Sequence, residues 1–182
     1  HKKLDFNEEN LDFAKLEKDF DFSGLISFED PPRKGVKETI AKAAEAGIRT
    51  IMVTGDHPLT ARFIAKEVGI LKEFDKVLTD KDLDSLSDEE LQNTVKSVSV
   101  FARTTPQHKY RIVQALQKNG EVVAVTGDGI NDALALKGAD IGIAMGIRGT
   151  DVAKEAAEVV LADDNYITIT QGIDRKSTRL NS

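Results

Sequence analysis

Apolar residues in this chain gather in short runs rich in Val and Ile, and these runs alternate with stretches whose apolar positions recur every three or four residues. A short, nearly continuous apolar run fits a strand covered on both faces, and the three-to-four spacing fits one face of a helix. Strands are predicted at 22–28, 49–54, 97–102, 121–126 and 140–145, with a further short one at 158–162. Helices are predicted between them at 34–46, 58–68, 106–119, 130–137 and 150–157. This alternation is that of βαβ units, and it predicts an α/β fold: a doubly wound, Rossmann-like parallel sheet with helices on both faces.

Helix starts are clearest at 106, where Thr105 stands as the cap, Pro106 takes the first helical position, and Tyr110, Val113 and Leu116 repeat at helical spacing. His57 is expected to help start the helix at 58 rather than to act as a base. Ser87 and Glu90 have the spacing of a capping box inside the acidic stretch 71–94. That stretch carries Asp75, Asp80, Asp82, Asp84, Asp88, Glu89 and Glu90 but lacks the ordered glycine and glutamate of a calcium-binding EF-hand loop. It is expected to be a solvated insertion. The tail "DRKSTRLNS" at 174–182 is basic, polar and aperiodic, and is set aside as a non-native scar.

Composition narrows the class. With 182 residues, 40% hydrophobic and 31% charged, the chain fits one soluble globular domain. No run approaches the roughly 18 apolar residues of a membrane-spanning helix, so no direct membrane insertion is expected of this segment. A net charge of -6 opposes nucleic-acid binding, which needs a basic face. The absence of cysteine excludes disulfides and thiolate metal sites. His1, His57 and His108 are too scattered for a zinc site.

Candidate chemistry lies where parallel sheets collect it, at the carboxyl ends of the strands. "TGD" at 54–56 follows one predicted strand, "ARTTPQHK" at 102–109 a second, and "TGDGIND" at 126–132 a third. Alone, the first is a cap and turn, Lys109 is a solvated helix lysine, and Asp128 with Asp132 is turn chemistry. Together they supply what a phosphoryl site needs: carboxylates for Mg²⁺, a lysine to offset phosphate charge, and a hydroxyl with backbone amides for phosphoryl oxygens.

These segments carry a resemblance. "TGDGINDALALKGADIGIAMG" and "MVTGDHPLTA", with "DPPR" at 30–33 upstream, look like the phosphorylation domain of a P-type ATPase, a cation pump of the haloacid dehalogenase-like superfamily. The likeness covers roughly 22–172, and "MGIRGTDVAKEAAEVVLADDNY" is similar to the branch that includes calcium pumps rather than to the heavy-metal or lipid-flipping branches. The resemblance implies Mg²⁺ and ATP as cofactors, with Asp128 and Asp132 at the metal and Asn131 supporting it and the phosphate. It further implies that Lys109, Thr54 and the Gly55 amide bind the phosphoryl group, and that Asp30, Arg33 and Asp56 help place the nucleotide. Thr54, Lys109 and Asp128 are thereby the expected catalytic residues. The transported ion would be calcium first, with sodium, potassium or magnesium behind it.

Departures from the family pattern also carry information. The Asp-Lys-Thr-Gly-Thr motif that holds the family's nucleophile does not occur in the 182 residues, and Leu134 stands where the family usually has proline. The expected organisation is therefore an end of a nucleotide-binding domain at 1–21 and a phosphorylation domain lacking its nucleophile strand at 22–173. The partners would be the nucleotide-binding, actuator and transmembrane parts of the same pump, at the cytoplasmic face of a membrane. Two alternatives stand beside this reading. A soluble phosphatase could use Asp19 or Asp21, although the polar "KLEKD" ends on the first and leads into the second, and both precede a strand instead of ending one. A catalytically dead regulatory binding module could keep the crevice alone.

Overall fold

The computed structural model describes Gly24 and residues 31–169. The predicted strand at 22–28, Asp19, Asp21, Asp30, the return segment 1–21 and the tail 174–182 lie outside the described residues. The described elements belong to one compact unit that begins at Pro31.

Helices and strands alternate as the apolar pattern requires, except that two short helices follow one another before the third strand. In chain order they are α1 (Val36–Glu45), β1 (Met52–Val53), α2 (Pro58–Glu67), β2 (Val77–Leu78), α3 (Asp80–Ser85), α4 (Asp88–Thr94), β3 (Val100–Phe101), α5 (Pro106–Lys118), β4 (Ala124–Gly127), α6 (Ala133–Gly138), β5 (Ile141–Met145), α7 (Asp151–Ala156) and β6 (Val159–Leu161). The strands form two parallel three-stranded sheets, ordered β1-β3-β2 and β4-β5-β6. Register pairs Val53 with Phe101, Leu78 with Phe101, Gly127 with Ala144 and Ala144 with Val160. The strands are shorter than the apolar runs because pairing, not apolarity, sets their ends. Ile51, for example, lies outside β1 yet packs against the main core.

The main core centres on Phe101 with Ile112, Val113 and Leu116 from α5. It also contains Leu83 and Leu91, with Val95 and Val98 just beyond them, and the burial of the first two overturns the expectation of a solvated insertion at 71–94. Leu83 and Leu91 are 0% and 1% exposed, so α3 and α4 are core elements whose acids line only their outer faces. The acids have a local role instead. Asp82 Oδ2 accepts from Thr79 N at 2.7 Å, and Glu90 Oε2 accepts from Ser87 N at 2.8 Å, which closes the capping box expected there. Carboxylates in a first turn also oppose the positive end of the helix dipole. Arg111 of α5 clamps the pair, donating to the carbonyls of Leu83 (3.0 Å) and Leu86 (2.8 Å) and to Asp88 Oδ1 (2.9 Å).

The helix predicted at 130–137 is divided. A 3-10 turn at Ile130–Asp132 precedes α6, because the Asp132 carboxylate folds back onto the amides of Asp128 and Gly129 and tightens the entry.

Candidate functional site

Three loops leave the carboxyl ends of β1, β3 and β4, and side chains join them into one constellation. After β1, Thr54 N donates to Phe101 O at 2.9 Å, so the turn starts in register with β3. Thr54 Oγ1 accepts from Asp56 N at 3.1 Å, which fixes the hydroxyl inside its own turn. His57 then caps α2, its Nδ1 accepting from Leu59 N at 3.3 Å, as the sequence indicated. Gly55 is exposed, and an added Cβ would meet only Thr104 O, at 4.0 Å.

The loop after β3 is bound directly to the first. Thr104 N and Thr104 Oγ1 both donate to Thr54 O at 3.0 Å, and Arg103 N donates to Asp56 O at 3.0 Å. Arg103 adopts a left-handed φ of 53° to make this turn. Thr105 caps α5 by accepting from His108 N at 3.3 Å, with Pro106 at the first helical position. The sequence reading missed His108. Its ring closes the reciprocal half of the box, Nδ1 accepting from Thr105 N at 3.3 Å, and Nε2 faces Asp84 Oδ1 at 2.9 Å. An Nδ1 that accepts leaves the proton on Nε2, where it donates to Asp84. The available signal was a Thr-x-x-His spacing in place of the usual Thr-x-x-Glu.

Lys109, in the first turn of α5, crosses to the third loop. Its Nζ lies 2.5 Å from Asp132 Oδ1, with side-chain exposures of only 17% and 14% for the two partners. Asp132 Oδ2 accepts from Asp128 N at 3.2 Å and Gly129 N at 3.1 Å. Both oxygens of Asp132 are thus engaged by protein donors, and its carboxylate organises the loop. Gly127 makes this possible, because a Cβ there would collide with Asp132 Cβ and lie 2.8 Å from its Cγ.

Asp128 is different. Its side chain is exposed and has no hydrogen-bond or ion-pair partner among the described residues. A free carboxylate beside a lysine–carboxylate pair suits a hard divalent cation, since Mg²⁺ commonly takes one or two carboxylates and completes its shell with water and phosphate oxygens. Asp128 thus leaves one carboxylate open to such a cation, and among the described residues no group of three or more His, Asp or Glu side chains gathers to hold a metal. Asn131 is exposed at the same loop.

Of the residues expected to place the nucleotide, Asp30 lies outside the described residues, and Asp56 and Arg33 have separate partners. Asp56 is exposed and engaged through its carbonyl, whereas the Arg33 guanidinium donates to Asp164 O at 2.7 Å. The sequence reading overlooked Asp164. Burial pushes its carboxyl up, but the backbone amides of Ile147, Arg148 and Gly146, helped by the Arg33 charge, hold it below the ordinary range.

Comparison with known proteins bears on the family and the fold. The family model for haloacid dehalogenase-like hydrolases matches residues 2–140, and a second model of the same description matches 108–173. The calcium-transporting ATPase 1 of Bacillus cereus is 49% identical over 169 residues, covering 93% of this chain and 19% of the relative. The calcium-transporting ATPase of Bacillus subtilis is 52% identical over 91% of this chain and 18% of its own length. The sodium/potassium-transporting ATPase subunit alpha-4 of Rattus norvegicus is 45% identical, covering 95% of this chain and 19% of the relative. The chain thus spans about a fifth of the curated relatives it matches. Among solved structures, a zinc-transporting PIB-type ATPase in its E2.Pi state superposes with a TM-score of 0.61 at 31% identity, over 80% of this chain and 19% of that one. The catalytic domain of the CPx-ATPase CopB-B gives 0.58 at 26% identity, over 78% of this chain and 45% of that one. Parallel strands whose loops meet at a lysine–carboxylate pair, and a family match running through most of those elements, place this chain in the haloacid dehalogenase-like hydrolase family.

Proposed function

We propose that this chain is the phosphorylation domain of a P-type, ATP-driven cation pump and supplies the Mg²⁺- and phosphoryl-binding half of an aspartyl-phosphate site. The observation that carries the reading is the bonded convergence of the Thr54 loop, Lys109 and the Asp128–Asp132 loop. Relatives named as cation-transporting ATPases, aligned over more than nine-tenths of the chain, support it.

Each residue then has a physical task. Asp128 offers its unpartnered carboxylate to Mg²⁺, which would supply charge neutralisation at the phosphoryl oxygens. Asp132 sets the loop that aims Asp128, and contributes to the metal site in that way. Lys109 is held at the crevice by Asp132 and offsets phosphoryl charge. Thr54, Gly55 and Asn131 present a hydroxyl, a backbone amide and a side-chain amide to the same oxygens. Asp56, exposed at the mouth of the first loop, together with Asp30, takes the nucleotide side, and Arg33 braces the segment that enters the domain. Calcium is the proposed cargo, from the named relatives. The remaining parts of such a pump, including its nucleophile, actuator and membrane helices, would place this domain at the cytoplasmic face of a membrane. Among the described residues no helix is long and apolar enough to cross one.

Labelled ATP tests the reading. The 182-residue chain with Mg²⁺ and γ-labelled ATP is expected to take up no covalent phosphate. The chain joined to the preceding coding sequence with its Asp-Lys-Thr-Gly-Thr motif is expected to form an acid-stable acyl phosphate. Lys109→Met or Thr54→Ala should slow that labelling by about a hundredfold or more. Acid-stable phosphate on Asp19 or Asp21 of the chain alone would overturn the assignment in favour of a soluble phosphatase.

A further inference from the structure

Asp164 is 6% exposed and holds a left-handed φ of 49°, a backbone conformation that Asp tolerates better than most residues but that still needs support. Its carboxylate is committed to backbone: Oδ1 accepts from Ile147 N at 2.9 Å and Oδ2 from Arg148 N at 2.7 Å. Those amides belong to the loop between β5 and α7. At the near end of that loop Gly146 N donates to Leu161 O at 2.8 Å, and at the far end Thr150 N donates to Asp128 O at 2.8 Å. The loop has little room to repack, because a Cβ on Gly146 would lie 2.5 Å from Leu161 O and one on Gly149 would collide with Met145 O.

Arg33 anchors the other side. Its Nη1 donates to Asp164 O at 2.7 Å, and the adjoining Gly35 packs so closely on Ile167 that a Cβ would lie 2.7 Å from Ile167 Cδ1. A continuous line therefore runs from the Arg33 guanidinium to the Asp164 carbonyl, from the Asp164 carboxylate to the 147 and 148 amides, and from the Thr150 amide to the Asp128 carbonyl.

We propose that Asp164 is a positioning residue for the cation-binding carboxylate, holding the 146–150 loop that in turn holds the backbone of Asp128, with Arg33 fixing Asp164 from the domain's entry segment. This rests on the reading of Asp128 as a Mg²⁺ ligand. Groups behind a ligand raise affinity by fixing its orientation before the metal arrives, so that binding does not have to order the loop.

Magnesium chloride titration of the full chain, followed through the backbone amide NMR signals of Asp128, Gly129, Ile147, Arg148 and Thr150, tests the proposal. Asp164→Asn keeps the shape of the side chain but turns a donor toward one of the amides. It is expected to raise the Mg²⁺ dissociation constant about tenfold and to move the Thr150 signal, while the signals of α5 stay in place. Arg33→Gln is expected to weaken Mg²⁺ by a smaller factor, and Arg33→Lys to restore it, since an ammonium can still donate to a carbonyl. Arg33 is exposed, so its variants decide the matter should Asp164→Asn fail to fold. Wild-type Mg²⁺ affinity in folded Asp164→Asn, or in Arg33→Gln, overturns the proposal. Asp128→Asn separates the two readings. Loss of the Mg²⁺ response there upholds the ligand whatever Asp164 does, and persistence of the response removes the metal reading and this proposal with it.

Discussion

Two glycines in the site loops are under opposite constraints. Gly127 backs onto Asp132, where a Cβ would lie 2.8 Å from Cγ, so Gly127→Ala must displace the carboxylate that holds Lys109 and the amides of 128 and 129. Overpacking of this kind costs about 1–3 kcal/mol, and thermal unfolding followed by circular dichroism should show a midpoint lower by several degrees. Gly55 has open space and no left-handed φ, so Gly55→Ala should leave that midpoint unchanged. If the glycine is there to let a phosphoryl oxygen approach the backbone, the same variant should weaken Mg²⁺-dependent inorganic phosphate binding in calorimetry. Unaltered phosphate affinity would remove Gly55 from the site. Asp164 makes a pH prediction at the same scale. A carboxyl held low in the folded state stabilises the fold above its unfolded value, about 3.9, and that contribution disappears as pH falls through the lower folded value. Thermal midpoints of wild type and Asp164→Asn should therefore differ at neutral pH and converge below about pH 4. A gap that stays constant from neutral pH down to acid would show that the charge of Asp164 is irrelevant.

Among elements, α3 and α4 show where the sequence was legible and where it was not. Caps were readable, because Thr105, Pro106, Ser87 and Glu90 act within one turn of themselves and local spacing contains the whole interaction. The helix limits at Pro58–Glu67 and Pro106–Lys118 fell within a residue of the apolar periodicity for the same reason. In the acidic stretch, the many carboxylates outweighed a sparse apolar set, Leu71, Leu83 and Leu91, that proves to be buried. Charge density describes the outer face of a helix and says little about its inner one. Leu83→Ala should accordingly cost about 2–5 kcal/mol in denaturant unfolding, the value for a core leucine, where a solvated insertion would lose almost nothing. The loop at 146–150 was illegible for another reason: its anchor is a carboxylate 16 and 17 residues further along the chain, and no local pattern encodes a side chain reaching that far to backbone amides. The three strand-end loops that carry Thr54, Lys109 and Asp128 were legible, but the Lys109–Asp132 pair that ties the second loop to the third emerged only from packing.

At the scale of the molecule, the division of the described strands into two sheets has a mechanical consequence. Parallel strands are normally covered and flanked on both sides, yet among the described residues β1 and β4 are both edge strands, and Ala124 and Thr126 of β4 are exposed. These two edges lead into the Thr54 and Asp128 loops, and Ile51, Val53 and Val125 beside them pack against the same core around Phe101. Under the proposed function, a strand added between them would join the two edges and carry its last residue to the Thr54 and Asp128 loops. That strand would be the one ending in Asp-Lys-Thr-Gly-Thr. Supplying it as a peptide, about five or six β-branched residues followed by the motif, should raise the thermal midpoint of the chain and slow hydrogen exchange at the amides of β1 and β4. A peptide with the motif intact but its apolar residues replaced by serine should do neither, because the motif alone has no sheet to join. Protection appearing at the outer edges β2 and β6 instead would mean generic strand addition, and would argue against β1 and β4 as the edges that receive a nucleophile strand. Protection confined to β1 and β4, with the added aspartate then accepting labelled phosphate from ATP in the presence of Mg²⁺, would join the two halves of the site from separate chains.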